Sequence, residues 1–261
     1  MIPQFKDQVI VVLGASAEGG TGWRCAERFA AEGARLIVAA RSLAGVQKLA
    51  AKIGGRALRC DVSRESDVAA VAAAATEWGG LDAAVNAAGH AVPSTVDSFD
   101  QTTLQSAIEV NFYGNLYFFR QMAGAMKHGG SITTIASVAA TMVTPGNVLY
   151  GCAKAATVTA VRYAALEYAP RNIRVNALLP GLIDTPLAAP LLSNKALLGA
   201  FLKEVPLKRV SEAVEIANAA LWLASSPSIT GSTITIDGGI SLRRAPQLDE
   251  LPQEAYTAMK S

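Results

Sequence analysis

The sequence predicts a doubly wound α/β fold: a parallel sheet of about seven strands with helices on both faces. Three features carry that expectation. Short apolar runs alternate with longer segments of helical period. The runs are nearly continuous in Val, Ile, Leu and Ala, as strands buried on both faces are. A content of 51% hydrophobic against 17% charged residues in 261 supplies the core that such a sheet needs.

The elements follow in order. VIVVL at 9–13 reads as the first strand, GASAEGGTGW as a glycine-rich junction, and 22–32 as a helix. Strands at 35–40, 57–60, 82–88, 131–136 and 173–179 then alternate with helices at 43–53, 65–78, 102–127 and 150–168. A helix at 211–224 and a strand at 232–237 close the series, and right-handed crossovers join the strands. Residues 184–208 break the rhythm as an insert whose apolar residues recur at helical spacing, with prolines towards both ends. With no linker rich in Pro, Gly and Ser and no internal repeat, 1–261 reads as one domain. The tail from about 241 to 261 reads as a loose end or a subunit-contacting arm.

Composition narrows the function. A formal charge of +2 with scattered basic residues argues against nucleic-acid or anionic-membrane partners. Cys25, Cys60 and Cys152 lie far apart without ligand spacing and read as buried free thiols of a reducing compartment. With His90 and His128 as the only histidines, no metal is expected. No apolar run approaches membrane-spanning length and the N-terminus does not read as a signal peptide, so a cytoplasmic protein is expected.

Glycines between a strand and a helix let backbone N–H groups approach a pyrophosphate, assisted by the positive end of the helix. Four glycines in the nine residues 14–22 therefore favour nucleotide binding over a plain tight turn. In dinucleotide sites an acidic residue about 20 positions past the glycines takes the ribose 2′-hydroxyl. Here Ala40 fills that slot and Arg41 follows it, a residue suited to a 2′-phosphate, which favours NADP(H) over NAD(H). The plain alternative for Arg41 is a solvated charge at a strand end. Glu18 inside the loop is an objection, since a carboxylate there would repel phosphate.

Several motifs then appear in one order: the glycine loop, CDVS around Asp61, NAAG at 86–89, VNFYG with Asn111, IASVAA with Ser137, YGCAK with Tyr150 and Lys154, LLPGLIDTP at 178–186 and IDGG at 236–239. In order and spacing the chain, from about 7 to 240, resembles the short-chain dehydrogenase/reductase family, which implies a Rossmann-like sheet and a nicotinamide cofactor. The glycine loop departs from the family's GxxxGxG by two inserted residues. Gly14, Gly20 and Gly22 take the glycine positions, and Ser16 and Gly19 join them along the phosphates. The enoyl-reductase branch places its tyrosine and lysine further apart, so the four-residue spacing here speaks against that branch.

The resemblance implies a tetrad of Asn111, Ser137, Tyr150 and Lys154. Carbonyl reduction needs a hydride at carbon and a proton at oxygen. Tyr150 would supply the proton, and Lys154, one turn along a helix, would lower its pKa by favouring the phenolate. Ser137 would hold the substrate oxygen, and Asn111 would hold a water in the proton relay. Asp61 and Val62 would flank the adenine, while Asn86, Ala87 and Gly89 would pass beside the ribose. Tyr150 and Lys154 would also meet the cofactor, and Pro180, Gly181, Ile183 and Thr185 would approach the carboxamide. The insert, with Leu187, Leu191, Leu192, Leu198, Phe201 and Leu202, would be an apolar lid, and Val138, Met142 and Val143 would line the pocket. His90, directly after NAAG, is placed to reach the pocket mouth, but it reads as a loop histidine rather than a catalyst and is left out of the site.

The expected activity is an NADP(H)-dependent carbonyl reductase or alcohol dehydrogenase for an apolar ketone or secondary alcohol. An NAD-dependent dehydrogenase of a cyclic alcohol or hydroxysteroid is the alternative, and a non-catalytic dinucleotide-binding regulator is a third. The resemblance also implies a homo-dimer or homo-tetramer joined through the helices at 102–127 and 150–168.

Overall fold

The structure, a computed structural model, describes residues 4–91 and 93–250. Strand β1 (Val9–Leu13) is flanked by β2 (Arg35–Ala40) on one side and β4 (Ala83–Asn86) on the other. With β3 (Arg56–Arg59), β5 (Gly130–Ile135), β6 (Ile173–Pro180) and β9 (Thr233–Ile236), they form one seven-stranded sheet in the order β3-β2-β1-β4-β5-β6-β9. Every pairing in it is parallel. This is the expected single Rossmann-like domain.

Alternation along β1 explains why its run is unbroken. Val9, Val11 and Leu13 face one core, built with helices α3 (Glu65–Glu77), α5 (Gly114–Ala125) and α6 (Val148–Tyr168). Ile10 and Val12 face the other, built with α1 (Thr21–Ala31), α2 (Leu43–Ile53) and α9 (Ala213–Ser225). Apolar side chains on both faces leave no polar stripe to turn towards water.

The helix expected at 102–127 is three joined pieces: α4 (Gln101–Ile108), a π-helical turn (Glu109–Tyr113) and α5. The π turn sets Asn111 fully buried between α4 and α6. The insert holds α7 (Ala189–Ser193) and α8 (Lys195–Glu204), and a short ladder of β7 (Ile183–Asp184) with β8 (Ser211–Glu212) ties its two ends together. No helix among the described residues is long and apolar enough to cross a membrane. Of the thiols, Cys25 and Cys60 are buried as expected, and burial pushes both up to about 12. Cys152 is exposed instead, because the buried stripe of α6 runs through Leu149, Ala153, Thr157 and Val161, leaving Cys152 on the outer face. Of the tail, 251–261 lie outside the described residues.

Candidate active site

Strand order reverses about β1, which pairs with β2 on one side and β4 on the other. At such a switch point the loops leaving the carboxyl ends of the two strands part and open a crevice. The glycine junction leaves β1 there. Gly14 has φ +74°, and a Cβ built on it would meet the Ala88 nitrogen at 2.4 Å. One on Gly22 would meet the Gly14 oxygen at 2.5 Å, so α1 starts backbone against backbone on the strand end. The two extra residues form a turn, with the Gly20 N–H donating to the Ala17 oxygen at 2.9 Å, and they leave the Gly14–Gly22 contact intact. Gly20 caps α1 without a side-chain bond, and the first turn has no acidic residue. Its leading N–H groups therefore face no competing carboxylate. Glu18 does not approach them either: Lys48 of α2 binds its carboxylate at 2.6 Å and holds it below its ordinary range.

From Thr21, at the start of α1, a cavity of ≈ 590 Å³ runs beneath the ends of β4, β5 and β6 to the insert. Of the residues singled out in the sequence, Ala87, Gly89, Ser137, Tyr150, Lys154, Pro180, Gly181, Ile183 and Thr185 line it. Gly14, Ser16, Gly19, Gly20, Gly22, Arg41, Asp61, Val62, Asn86 and Asn111 lie outside its wall. Arg41 is exposed just past β2. Burial raises the Asp61 carboxyl, but two bonds from Ser63 and the charge of Arg41 outweigh it and hold the group below its ordinary value. Val62 packs under Gly114, and Asn86 is fully buried, its Nδ2 donating to Asn115 at 2.9 Å.

Ser137 lies two residues past the end of β5, and Tyr150 and Lys154 share one face of α6. Lys154 is 2% exposed, and its ammonium donates to the Ile135 carbonyl at 2.9 Å while lying 5.5 Å from the Tyr150 ring centroid. Burial lowers Lys154 from 10.5 to about 8. Tyr150 departs from expectation. Burial raises its phenol, a Ser137 hydrogen bond opposes the rise, and the Lys154 ammonium sits over the ring and bonds a carbonyl instead of the phenol oxygen. Desolvation of the phenolate outweighs the Ser137 bond in this arrangement.

Other expectations on the pocket wall shift as well. Met142 and Val143 line a second cavity of ≈ 500 Å³, beside Val96 and Cys152, and Val138 is buried in the core. The chain turns into a 3-10 helix at Val138–Ala140 straight after Ser137, which carries these side chains past the first cavity. From the insert, Leu187 and Leu191 reach the wall; Leu192, Leu198, Phe201 and Leu202 do not, and Leu197 does. Thr21, Asn147 and Asn194 also line it and were not expected. His90 reaches the wall too, from its place straight after NAAG, and its main chain is bracketed by Asn111, whose Nδ2 donates to the His90 oxygen at 2.9 Å. Among the described residues, no group of three or more His, Cys, Asp or Glu is placed to hold a metal ion.

The cradle fits a dinucleotide. Gly14 and Gly22 leave no room for side chains, the helix start is uncapped, and the cavity leads from it to a hydroxyl, a phenol and an ammonium.

Comparison with known proteins extends over the same region. A family model described as enoyl-(acyl carrier protein) reductase matches residues 14–241. A 2,5-dichloro-2,5-cyclohexadiene-1,4-diol dehydrogenase of Sphingobium indicum is 35% identical over 91% of this chain and 98% of its own. A 3-oxoacyl-[acyl-carrier-protein] reductase of Rattus norvegicus is 32% identical over 90% of this chain and 99% of its own. Among solved structures, a short-chain type dehydrogenase/reductase from Mycobacterium ulcerans superposes with a TM-score of 0.90 at 28% identity, covering 94% of each chain.

Proposed function

This chain belongs to the short-chain dehydrogenase/reductase family, and on that premise we propose that it is an NADP(H)-dependent carbonyl reductase and alcohol dehydrogenase for small apolar ketones. It is an NAD(P)-dependent oxidoreductase acting on C=O and CH–OH groups. One observation carries the finer reading: Ser137, Tyr150 and Lys154 line one cavity together with the aliphatic side chains of Leu182, Ile183, Leu187, Leu191 and Leu197. Among the described residues, the charged or titratable side chains on that wall are Lys154, His90 and Tyr150, with no arginine or cluster of cations beside them. The tyrosine-to-lysine spacing of four supports a carbonyl over an enoyl substrate.

When bound, the dinucleotide supplies hydride chemistry. The glycine loop and the start of α1 would hold its phosphates, Arg41 its 2′-phosphate, and Asp61, Val62, Asn86, Ala87 and Gly89 its adenosine side. Pro180, Gly181, Ile183 and Thr185 would hold the far ring. At the reacting end, Ser137 fixes the substrate oxygen and Tyr150 delivers the proton to it. The raised phenol keeps that proton at neutral pH, which suits reduction, since the acid must arrive loaded. Exposed Leu116, Tyr163 and Leu166 on the outer faces of α5 and α6 support association into dimers or tetramers there.

A second reading, an NAD-dependent dehydrogenase of a cyclic alcohol, is favoured by Asp61, whose carboxylate feels the charge of Arg41 and competes with a phosphate for it. The Sphingobium relative named for a cyclic diol fits that direction. Arg41→Ala separates the two. A charge-assisted bond to the 2′-phosphate contributes about 1.5–3 kcal/mol, so NADPH affinity should fall roughly 10- to 100-fold while NADH affinity barely moves. Equal losses for both, or none, defeat the phosphate assignment. Turnover of a ketone panel followed by NADPH absorbance tests the carbonyl assignment itself.

A further inference from the structure

Two asparagines on the cavity wall stand at helix starts, and only one of them caps its helix. Asn194 opens α8, and its Oδ1 accepts from the Leu197 N–H at 3.0 Å, the ordinary work of an asparagine there. Asn147 opens α6 and makes no such bond. Ser94 does that work instead. The Leu149 N–H, one of the two that a cap side chain serves, donates to Ser94 Oγ at 3.2 Å, and the Val148 N–H donates to the Ser94 oxygen at 3.2 Å. Ser94 is 1% exposed, and its own N–H donates to the Gly146 oxygen at 2.8 Å, so the main chain on both sides of Asn147 is pinned.

The Asn147 carboxamide is left over. Its Nδ2 donates to the Pro145 oxygen across a long 3.4 Å, and its Oδ1 has no partner among the described residues. The residue is half-buried and stands where the catalytic cavity meets the second cavity. Tyr150 is three residues on, and side chains at the cap and third positions of a helix start lie on the same side, as they do in a capping box. An amide offers two donors and two acceptor sites, so most of this group's capacity is unspent beside the phenol. A wholly apolar substrate that covered it would strand those atoms without partners.

We propose that Asn147 is a specificity-determining residue, whose carboxamide binds a second oxygen on the substrate, hydroxyl or carbonyl, while Ser137 and Tyr150 hold the reacting one. The favoured substrate is then a small ketone or secondary alcohol carrying one further neutral oxygen and apolar elsewhere. The inference rests on the carbonyl-reductase reading and narrows its substrate class. An uncharged amide can donate to a carbonyl, and can both donate to and accept from a hydroxyl, so it suits either group. A site built for a hydrogen bond rejects the analogue that lacks the partner, and that selectivity is the signature of the role.

The experiment compares cyclohexanone with 2-, 3- and 4-hydroxycyclohexanone. In wild type, kcat/KM for one of the hydroxyketones should exceed that for cyclohexanone by roughly 3- to 10-fold, the scale of one neutral hydrogen bond. In Asn147→Leu, which removes both polar atoms at similar size, that ratio should fall to about one. No preference in wild type overturns the proposal. So does a preference that Asn147→Leu keeps. An equal loss on every ketone with a lowered Tm overturns it too, because Asn147 would then be a plain part of the helix start. Should Asn147→Leu not fold, Asn147→Ala carries the same ratio. A wild type inert on every ketone would sink the carbonyl-reductase reading, and the inference is then read from binding alone. In ligand-observed NMR titrations, a cyclohexanediol should bind wild type more tightly than cyclohexanol does, and Asn147→Leu should lose the difference. Equal binding of diols and cyclohexanol to wild type overturns the assignment of Asn147.

Discussion

Lys154 is an ammonium 2% exposed, with one carbonyl as its hydrogen-bond partner and a phenol ring below it. Such a group is poorly solvated, so the neutral amine gains ground and the folded pKa falls from 10.5 to about 8. Below about pH 8 both folded and unfolded chains carry the charge, and the burial penalty is present in full. Between about 8 and 10.5 the unfolded chain keeps a proton that the native chain has released, so this residue makes stability rise with pH across that window. A shift of this size corresponds to something on the order of 3 kcal/mol. The buried thiols act oppositely: Cys25 and Cys60 hold their protons up to about 12 when folded, so they make stability fall above pH 9. The clean measurement is therefore a difference, wild type minus Lys154→Met, by denaturant unfolding of the cofactor-free protein from pH 7 to 10. The gap should move in favour of wild type as pH rises, and Lys154→Met should be no less stable than wild type at pH 7. A pH-independent gap would mean that the ammonium is solvated after all.

At the scale of elements, the glycine loop and α2 are packed as one unit. A Cβ on Gly45, in the first turn of α2, would lie 2.5 Å from the Ser16 oxygen and 2.8 Å from Ser16 Cβ. Gly45→Ala has two opposed effects. Helix propensity gains up to about 1 kcal/mol, while overpacking against main chain costs about 1–3 kcal/mol. The overpacking falls on the loop, so global stability should change little while NADPH affinity drops about 10-fold, read by fluorescence titration. Unchanged affinity would show that α2 moves aside and the loop does not. The sequence could not reveal this contact, because it brings together residues from successive β–α junctions. What it did reveal was local: β1, β2 and α2 fall on the expected bounds because their apolar runs and flanking turn residues coincide. The π turn at 109–113 left no mark, since a shift from i+4 to i+5 bonding changes no side-chain period that a short window resolves. Motif order singled out the candidate tetrad, but it carried no sign of the phenol's environment, because desolvation depends on everything packed around Tyr150.

For the whole molecule, the insert is exposed near its start and anchored by a buried charge near its end. Leu187, near its start, is 68% exposed although it touches the cavity, whereas Glu204, at the end of α8, is 4% exposed. The Glu204 carboxylate lies 3.5 Å from Arg243 and 3.6 Å from Arg244, both in the segment after β9, and Arg243 also donates to the Lys203 oxygen at 3.1 Å. Arg244 is held in turn by Glu250 through two bonds of 2.6 Å. The last strand, the segment after it and the cover of the cavity are thereby joined at one buried carboxylate. Both arginines are about half exposed, so freeing them returns their charge to water, and the loss should stay near 1–2 kcal/mol, below that of a wholly buried pair. Glu204→Gln keeps the shape and removes the charge. It should lower Tm by a few degrees, raise KM for the carbonyl substrate more than KM for the nicotinamide dinucleotide, and hasten proteolytic cleavage between 186 and 196. The asymmetry in KM is the decisive reading, because the insert lines the cavity that the proposed function gives to the substrate, whereas the glycine loop proposed for the dinucleotide lies outside that wall. An equal rise in both constants would place the effect of Glu204 in the sheet as a whole instead of in the cover it anchors.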